Sequence, residues 1–209
     1  MSASAPPRRL SMIREFQLAD FLTLGNAACG VLAVFAVMAH LENHDVRRLL
    51  TATALIPLAL VFDVLDGRVA RARRAHSALG RELDSLADVI SFGVAPAAIA
   101  YGAGMKGFWD VVILIYFVCC GVSRLARFNV TAETLSAGAD KVKYFEGTPI
   151  PTSLVLVAIV AMTAWAGRLG DALPVGAVRI GPGTLHPLTL LWAVSGSLMI
   201  SKTLRIPKL

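Results

Sequence analysis

The sequence predicts an all-α membrane protein, with six transmembrane helices preceded by a short N-terminal interfacial helix. Three observations carry this reading. Of the 209 residues, 56% are hydrophobic and 16% charged, whereas soluble domains carry roughly 45–50% apolar and about 25% charged residues. The mean hydropathy is +0.67, and the apolar excess is gathered into long continuous runs of spanning length. Those runs lack the period-two alternation that barrel strands need, so helices are the way to satisfy the backbone inside a bilayer.

Taken in chain order, residues 1–21 read as a tail and interfacial element. The first 13 residues read as loose, and "SMIREFQLADF" over 11–21 has the character of a short helix lying on the membrane surface before the first span. The basic start lacks the short apolar core and small-residue cleavage site of a signal peptide. Residues 22–209 then form a single six-helix domain, with spans at 22–40, 49–71, 83–104, 109–128, 150–167 and 187–203. At about 20 residues per crossing the length leaves no room for a large second domain. Cys29, Cys119 and Cys120 all fall inside apolar runs and read as small buried hydrophobes rather than a disulfide or metal set.

The basic residues set the orientation. With the N-terminus in the cytoplasm, fifteen of the twenty fall on the cytoplasmic side, including Arg8, Arg9, Arg14, Arg68, Arg71, Arg73, Arg74, Arg81, Arg124, Arg127, Lys141 and Lys143. Five fall outside: Arg47, Arg48, Lys106, Arg168 and Arg179. This positive-inside bias, with an even number of spans, predicts that both termini are cytoplasmic. The net charge of +6 then sits mainly on one face, where it attracts anionic headgroups.

Against this background the acids of "VFDVLDGRVARARRAHSALGRELDSLADVISFG" (61–93) are anomalous. Asp63 and Asp66, three apart, share a face of the second span, and Gly80, Asp84 and Asp88 step by four along the third. Asp63 lies about eight residues, roughly 12 Å, from the inner end of its helix, and Asp88 a similar distance from the start of its own. A hairpin of the two spans therefore brings four carboxylates to one depth near the cytoplasmic leaflet. Such charges repel and are costly to desolvate unless cations or protons compensate them. With no His or Cys in the group, the donor set suits hard dications, Mg²⁺ or Mn²⁺, rather than zinc. Arg71 and Arg68 are placed to bind phosphate oxygens. Gly67, Ala70 and Gly80 are small where a bulky ligand has to approach the backbone. The plain alternative is carboxylate–arginine pairing that only glues the helices together, which needs fewer acids than these.

The pattern Asp63-x-x-Asp66-Gly67-x-x-Ala70-Arg71, eight residues, then Gly80-x-x-x-Asp84-x-x-x-Asp88 resembles the signature of the CDP-alcohol phosphotransferases. The resemblance implies a six-helix membrane enzyme, usually a homodimer, that moves a phosphatidyl-type group from a CDP-linked lipid to an alcohol and releases CMP. It implies that Asp63, Asp66, Asp84 and Asp88 hold two metal ions and that Asp88 is the base. It also implies that Asp66, Gly67, Ala70, Arg71, Gly80 and Asp84 line the CDP site.

Three further stretches bear on the acceptor. "FLTLGNAACGVLAV" places Thr23 and Asn26 at the depth of the aspartates, and Asn26, which both donates and accepts, is a candidate for the cytosine edge. "GVSRLARFNV" offers Arg124, Arg127 and Asn129 as candidates for gripping an acceptor carboxylate or a phosphate. The prolines of "EGTPIPTSL" are equally explained as helix-start residues. Together "RLARFN", "FEGTPIP" and "SLMISKTLRIPKL" resemble the phosphatidylserine synthase branch, although Thr148 stands where that branch more often has leucine. The branch resemblance implies CDP-diacylglycerol and serine as substrates. Relatives using glycerol 3-phosphate, inositol phosphate or choline are the alternatives within the family. A cation transporter is the alternative from another class; it accounts for the acids but not for the small residues at fixed offsets, and it calls for broken helices or inverted repeats.

Overall fold

The computed structural model describes residues 17–72, 78–136, 144–201, 203 and 205–207. The N-terminal tail, the Arg73–Arg74 cluster, Lys141 and Lys143 lie outside the described residues. The protein is built from seven α-helices among these residues: α1 (Leu18–Asn43), α2 (Val46–Ala72), α3 (Ala78–Asp88), α4 (Ala95–Gly102), α5 (Phe108–Ser136), α6 (Ser153–Trp165) and α7 (Leu190–Ile200). Four stretches are long and apolar enough to cross a membrane: Leu18–Asn43, Val46–Ala72, Leu79–Gly102 and Phe108–Thr131. Two later apolar helices, Ile150–Trp165 and Pro187–Ile200, are shorter. This is the architecture of an all-α membrane protein.

One boundary is corrected. Residues 18–21 belong to the first long helix and not to a separate surface helix. The reason is a cap: Asp20 Oδ2 accepts from the Gln17 amide at 2.7 Å, and the Asp20 amide donates to the Gln17 carbonyl at 3.0 Å. This reciprocal arrangement satisfies amides that otherwise lack partners at a helix start.

Helices α1 and α2 form the most extensive pair, folded back through His44 and Asp45. His44 adopts a left-handed conformation (φ 54°) and its amide closes on the His40 carbonyl at 2.8 Å. Asp45 Oδ1 then accepts from the Arg47 amide at 3.0 Å and starts α2. The third long stretch is continuous through a π-helical turn, Val89–Val94, that joins α3 to α4. The extra residue of a π turn shifts the side-chain phase, so Ser91, Phe92 and Gly93 all turn inward. The core below it holds Leu49, Ile56, Phe92, Ile99, Phe117, Ile150 and Trp192, all at or near zero exposure. Gly196 lets α7 lie against the backbone of α5, where an added Cβ would sit 3.2 Å from the Phe117 Cα.

Pro149 and Pro151 open a single 3₁₀ turn, Ile150–Thr152, that leads into α6. Two small antiparallel pairings complete the fold. Strand β1 (Tyr144–Glu146) pairs with β4 (Arg205–Pro207), and β2 (Val178–Ile180) pairs with β3 (Gly183–Leu185). Cys29 and Cys120 are buried as expected, but Cys119 is exposed. Neighbouring helical residues point about 100° apart, and here Cys119 falls on the outer side of α5 while Cys120 faces inward.

Candidate active site

The end of α2 and the start of α3 carry the acids. A carboxylate oxygen from each of Asp63, Asp66 and Asp84 falls within 4.8 Å of the other two. The two stripes anticipated from the spacing therefore meet. Asp66 is buried, and Asp63 and Asp84 are half-buried. Asp84 Oδ1 is buried without a hydrogen-bond partner. Three hard oxygen donors around a point, beside an Asp84 oxygen with no partner among the described residues, fit a divalent cation bound through carboxylates. Asp88 lies one turn further along and outside this group of three. It is buried, its Oδ1 accepts from Asn26 Nδ2 at 3.2 Å, and Arg124 on α5 is within electrostatic range of it.

The remaining candidates sort by surroundings. A Cβ added at Gly67 would meet nothing within 4 Å, so the backbone there borders open space beside the acids. Ala70 and Gly80 are half-buried. Arg71 is exposed, and its Nε donates to the Gly67 carbonyl at 3.0 Å. Arg68 is exposed as well. On α5, Arg124 is half-buried with its Nε lacking a partner, and Arg127 is half-buried.

Two residues sit differently from what the spacing suggests. Asn26 is fully buried and spends its amide nitrogen on Asp88. Asn129 is buried in a polar knot: its Nδ2 donates to Glu82 Oε2 at 3.2 Å and to the Ser85 hydroxyl at 3.0 Å, and Ser85 lies 3.2 Å from Asn129 Oδ1. That knot ties α5 to α3 within a turn of Asp84 and Asp88. Ser85 and Ser91 were not singled out from the sequence. Ser85 follows Asp84 directly, and a small polar residue next to a functional stripe was the available signal.

Residues 16–195 match the CDP-alcohol phosphatidyltransferase family. A CDP-diacylglycerol–serine O-phosphatidyltransferase of Saccharomyces cerevisiae is 45% identical over 204 residues, covering 95% of this chain and 73% of that protein. An archaetidylserine synthase of Methanothermobacter thermautotrophicus is 36% identical over 166 residues, covering 78% of this chain and 65% of that one. A CDP-diacylglycerol–serine O-phosphatidyltransferase of Bacillus subtilis is 33% identical over 144 residues, covering 68% of this chain and 73% of its own. The family match spans the paired acids, the small residues between them and the helices that hold them: the chain belongs to the CDP-alcohol phosphatidyltransferase family.

Proposed function

We propose that this protein transfers the phosphatidyl group of CDP-diacylglycerol to the hydroxyl of L-serine, giving phosphatidylserine and CMP. The observation that carries the reading is the convergence of Asp63, Asp66 and Asp84, with Asp88 one turn on and Arg124 within electrostatic range of it. The names of the three relatives, all serine-using enzymes, support serine as the acceptor.

The residues divide the work as follows. A pair of Mn²⁺ or Mg²⁺ ions held by Asp63, Asp66, Asp84 and Asp88 would neutralise the diphosphate and stabilise charge on the departing CMP. Gly67, Ala70, Arg71 and Gly80 line the nucleotide side, where the open space at Gly67 admits a diphosphate close to the backbone. Arg124 and Arg127 bind the serine carboxylate or the lipid phosphate. Asp88 takes the proton of the serine hydroxyl as its oxygen attacks phosphorus. A new P–O bond to serine forms, the P–O bond to CMP breaks, and CMP leaves with the electron pair. A serine hydroxyl is a poor nucleophile near neutral pH and needs such a positioned base.

Six spans suit this chemistry. The two shorter apolar helices complete a six-helix domain that begins at Leu18, with both termini and the acids on the cytoplasmic side, where serine is available and the acyl chains stay in the bilayer. The positive-inside bias supports that orientation, and the family resemblance supports a homodimer. The test is an acceptor screen. Purified protein in detergent with CDP-diacylglycerol and Mn²⁺ yields labelled phosphatidylserine from labelled serine. Product from glycerol 3-phosphate, inositol phosphate or choline with none from serine overturns the acceptor assignment.

A further inference from the structure

Helix α1 contributes no acid to the cluster, yet it touches two of the acids. Thr23 and Asn26 lie one turn apart on it. The Thr23 hydroxyl is 2.7 Å from Asp66 Oδ2 and 3.1 Å from the Ala19 carbonyl, so the shorter approach is to the acid. Asn26 Nδ2 donates to Asp88 Oδ1. Thr23 is 3% exposed and Asn26 0%, and Asn26 Oδ1 has no partner among the described residues. Behind Asn26, the Ser91 hydroxyl donates to the Asn26 carbonyl at 2.8 Å. A Cβ at Gly30 would lie 2.6 Å from the Ser91 Oγ and 2.8 Å from its Cα. Helix α1 is thus keyed into the π-helical turn that follows Asp88, at a separation only glycine permits.

An aspartate carboxyl rotates broadly about its last torsion, and acids gathered on two facing helices push one another apart. The Gly67 amide on α2 also reaches the Asp66 carboxyl, and the side-chain donors to Asp66 and Asp88 come from α1. We propose that Thr23 and Asn26 are positioning residues, and that α1 is the template setting the two carboxylates. By occupying Oδ2 of Asp66 it presents Oδ1 to a divalent cation. By occupying Oδ1 of Asp88 it presents Oδ2 to the acceptor hydroxyl. Asn26 thereby acts through Asp88. This inference rests on the proposed function for the role of Asp88, and its cation-binding half stands independently of it.

The test uses purified full-length protein and Mn²⁺ alone, with bound and unbound metal read by electron paramagnetic resonance in the absence of substrates. Thr23→Val, which keeps the shape and removes the hydroxyl, weakens Mn²⁺ binding by about 10–100-fold, the usual loss for an outer-shell partner, and Thr23→Ser returns it to within about threefold of the parent. Thr23→Ala serves the same comparison if the valine variant does not fold, as judged by its thermal midpoint. In the serine assay Asn26→Leu lowers kcat about 10–100-fold while the serine KM stays within about threefold. Unchanged Mn²⁺ affinity in Thr23→Val, or equal impairment in Thr23→Ser, overturns the template at Asp66. A loss carried entirely by KM in Asn26→Leu overturns it at Asp88. If the parent protein makes no phosphatidylserine, the proposed function fails, and the Mn²⁺ comparison still decides the claim at Asp66.

Discussion

The two ends of α5 each meet buried carboxylate, and the two sites are furnished in opposite ways. At its start, Asp110 is fully buried and saturated. Its Oδ1 accepts from the His186 amide and the Thr189 hydroxyl, both at 2.8 Å. Its Oδ2 accepts from the Gly107 amide at 2.9 Å and lies 2.6 Å from His186 Nδ1. At the other end, some 14 residues or about 21 Å along the helix axis, Arg124 lies near Asp88, and the acids at Asp63, Asp66 and Asp84 crowd one another. Asp84 Oδ1 there has no partner among the described residues. Burial alone therefore does not distinguish the two places; the supply of donors does. Asp110 is a joint locking the start of α5 to the start of α7, whereas Asp84 Oδ1 has no donor among the described residues.

Substitutions can sharpen that contrast. The largest effect belongs to Asp88→Asn, which keeps the shape and the Asn26 contact while removing the base: kcat falls by about 10²–10⁴-fold, with the thermal midpoint held. Asp110→Asn does the reverse. Removing one partner of a buried charged network costs about 3–5 kcal/mol, read as a lowered thermal midpoint, while kcat of the folded fraction stays near that of the parent. Thr189→Val removes one donor of four and costs about 1 kcal/mol in the same measurement. Loss of turnover in Asp110→Asn with stability intact would erase the distinction between the two ends.

The acid stripes were readable in the sequence because helical periodicity converts spacing directly into a shared face. Asp63 with Asp66, and Asp84 with Asp88, need only the 3.6-residue repeat to be placed. Four of the expected spans were readable for a similar reason, since the length and apolarity of a run are local properties; the last two apolar helices are shorter than a span. The Asp110–His186 joint was not, because its partners are 76 residues apart and no spacing rule links them. The one local hint was an acid three residues past Gly107 at the start of a span, where it caps the helix. Asn129 shows the same limit from another side. Its residue type suggested a ligand grip, but its direction is set by packing, which turns it toward Ser85 and Glu82. The π-helical turn at Val89–Val94 also left no mark, because its side chains are those of an ordinary apolar helix.

The central claim is that Asp63, Asp66 and Asp84 form the cation site on which the proposed transfer depends. Crystals grown with Mn²⁺ and measured at the manganese absorption edge test it most directly. The account predicts an anomalous peak within bonding distance of carboxylate oxygens from all three residues, absent at Asp110. No peak there at a Mn²⁺ concentration that supports turnover, or a peak bound elsewhere in the bundle, would contradict it.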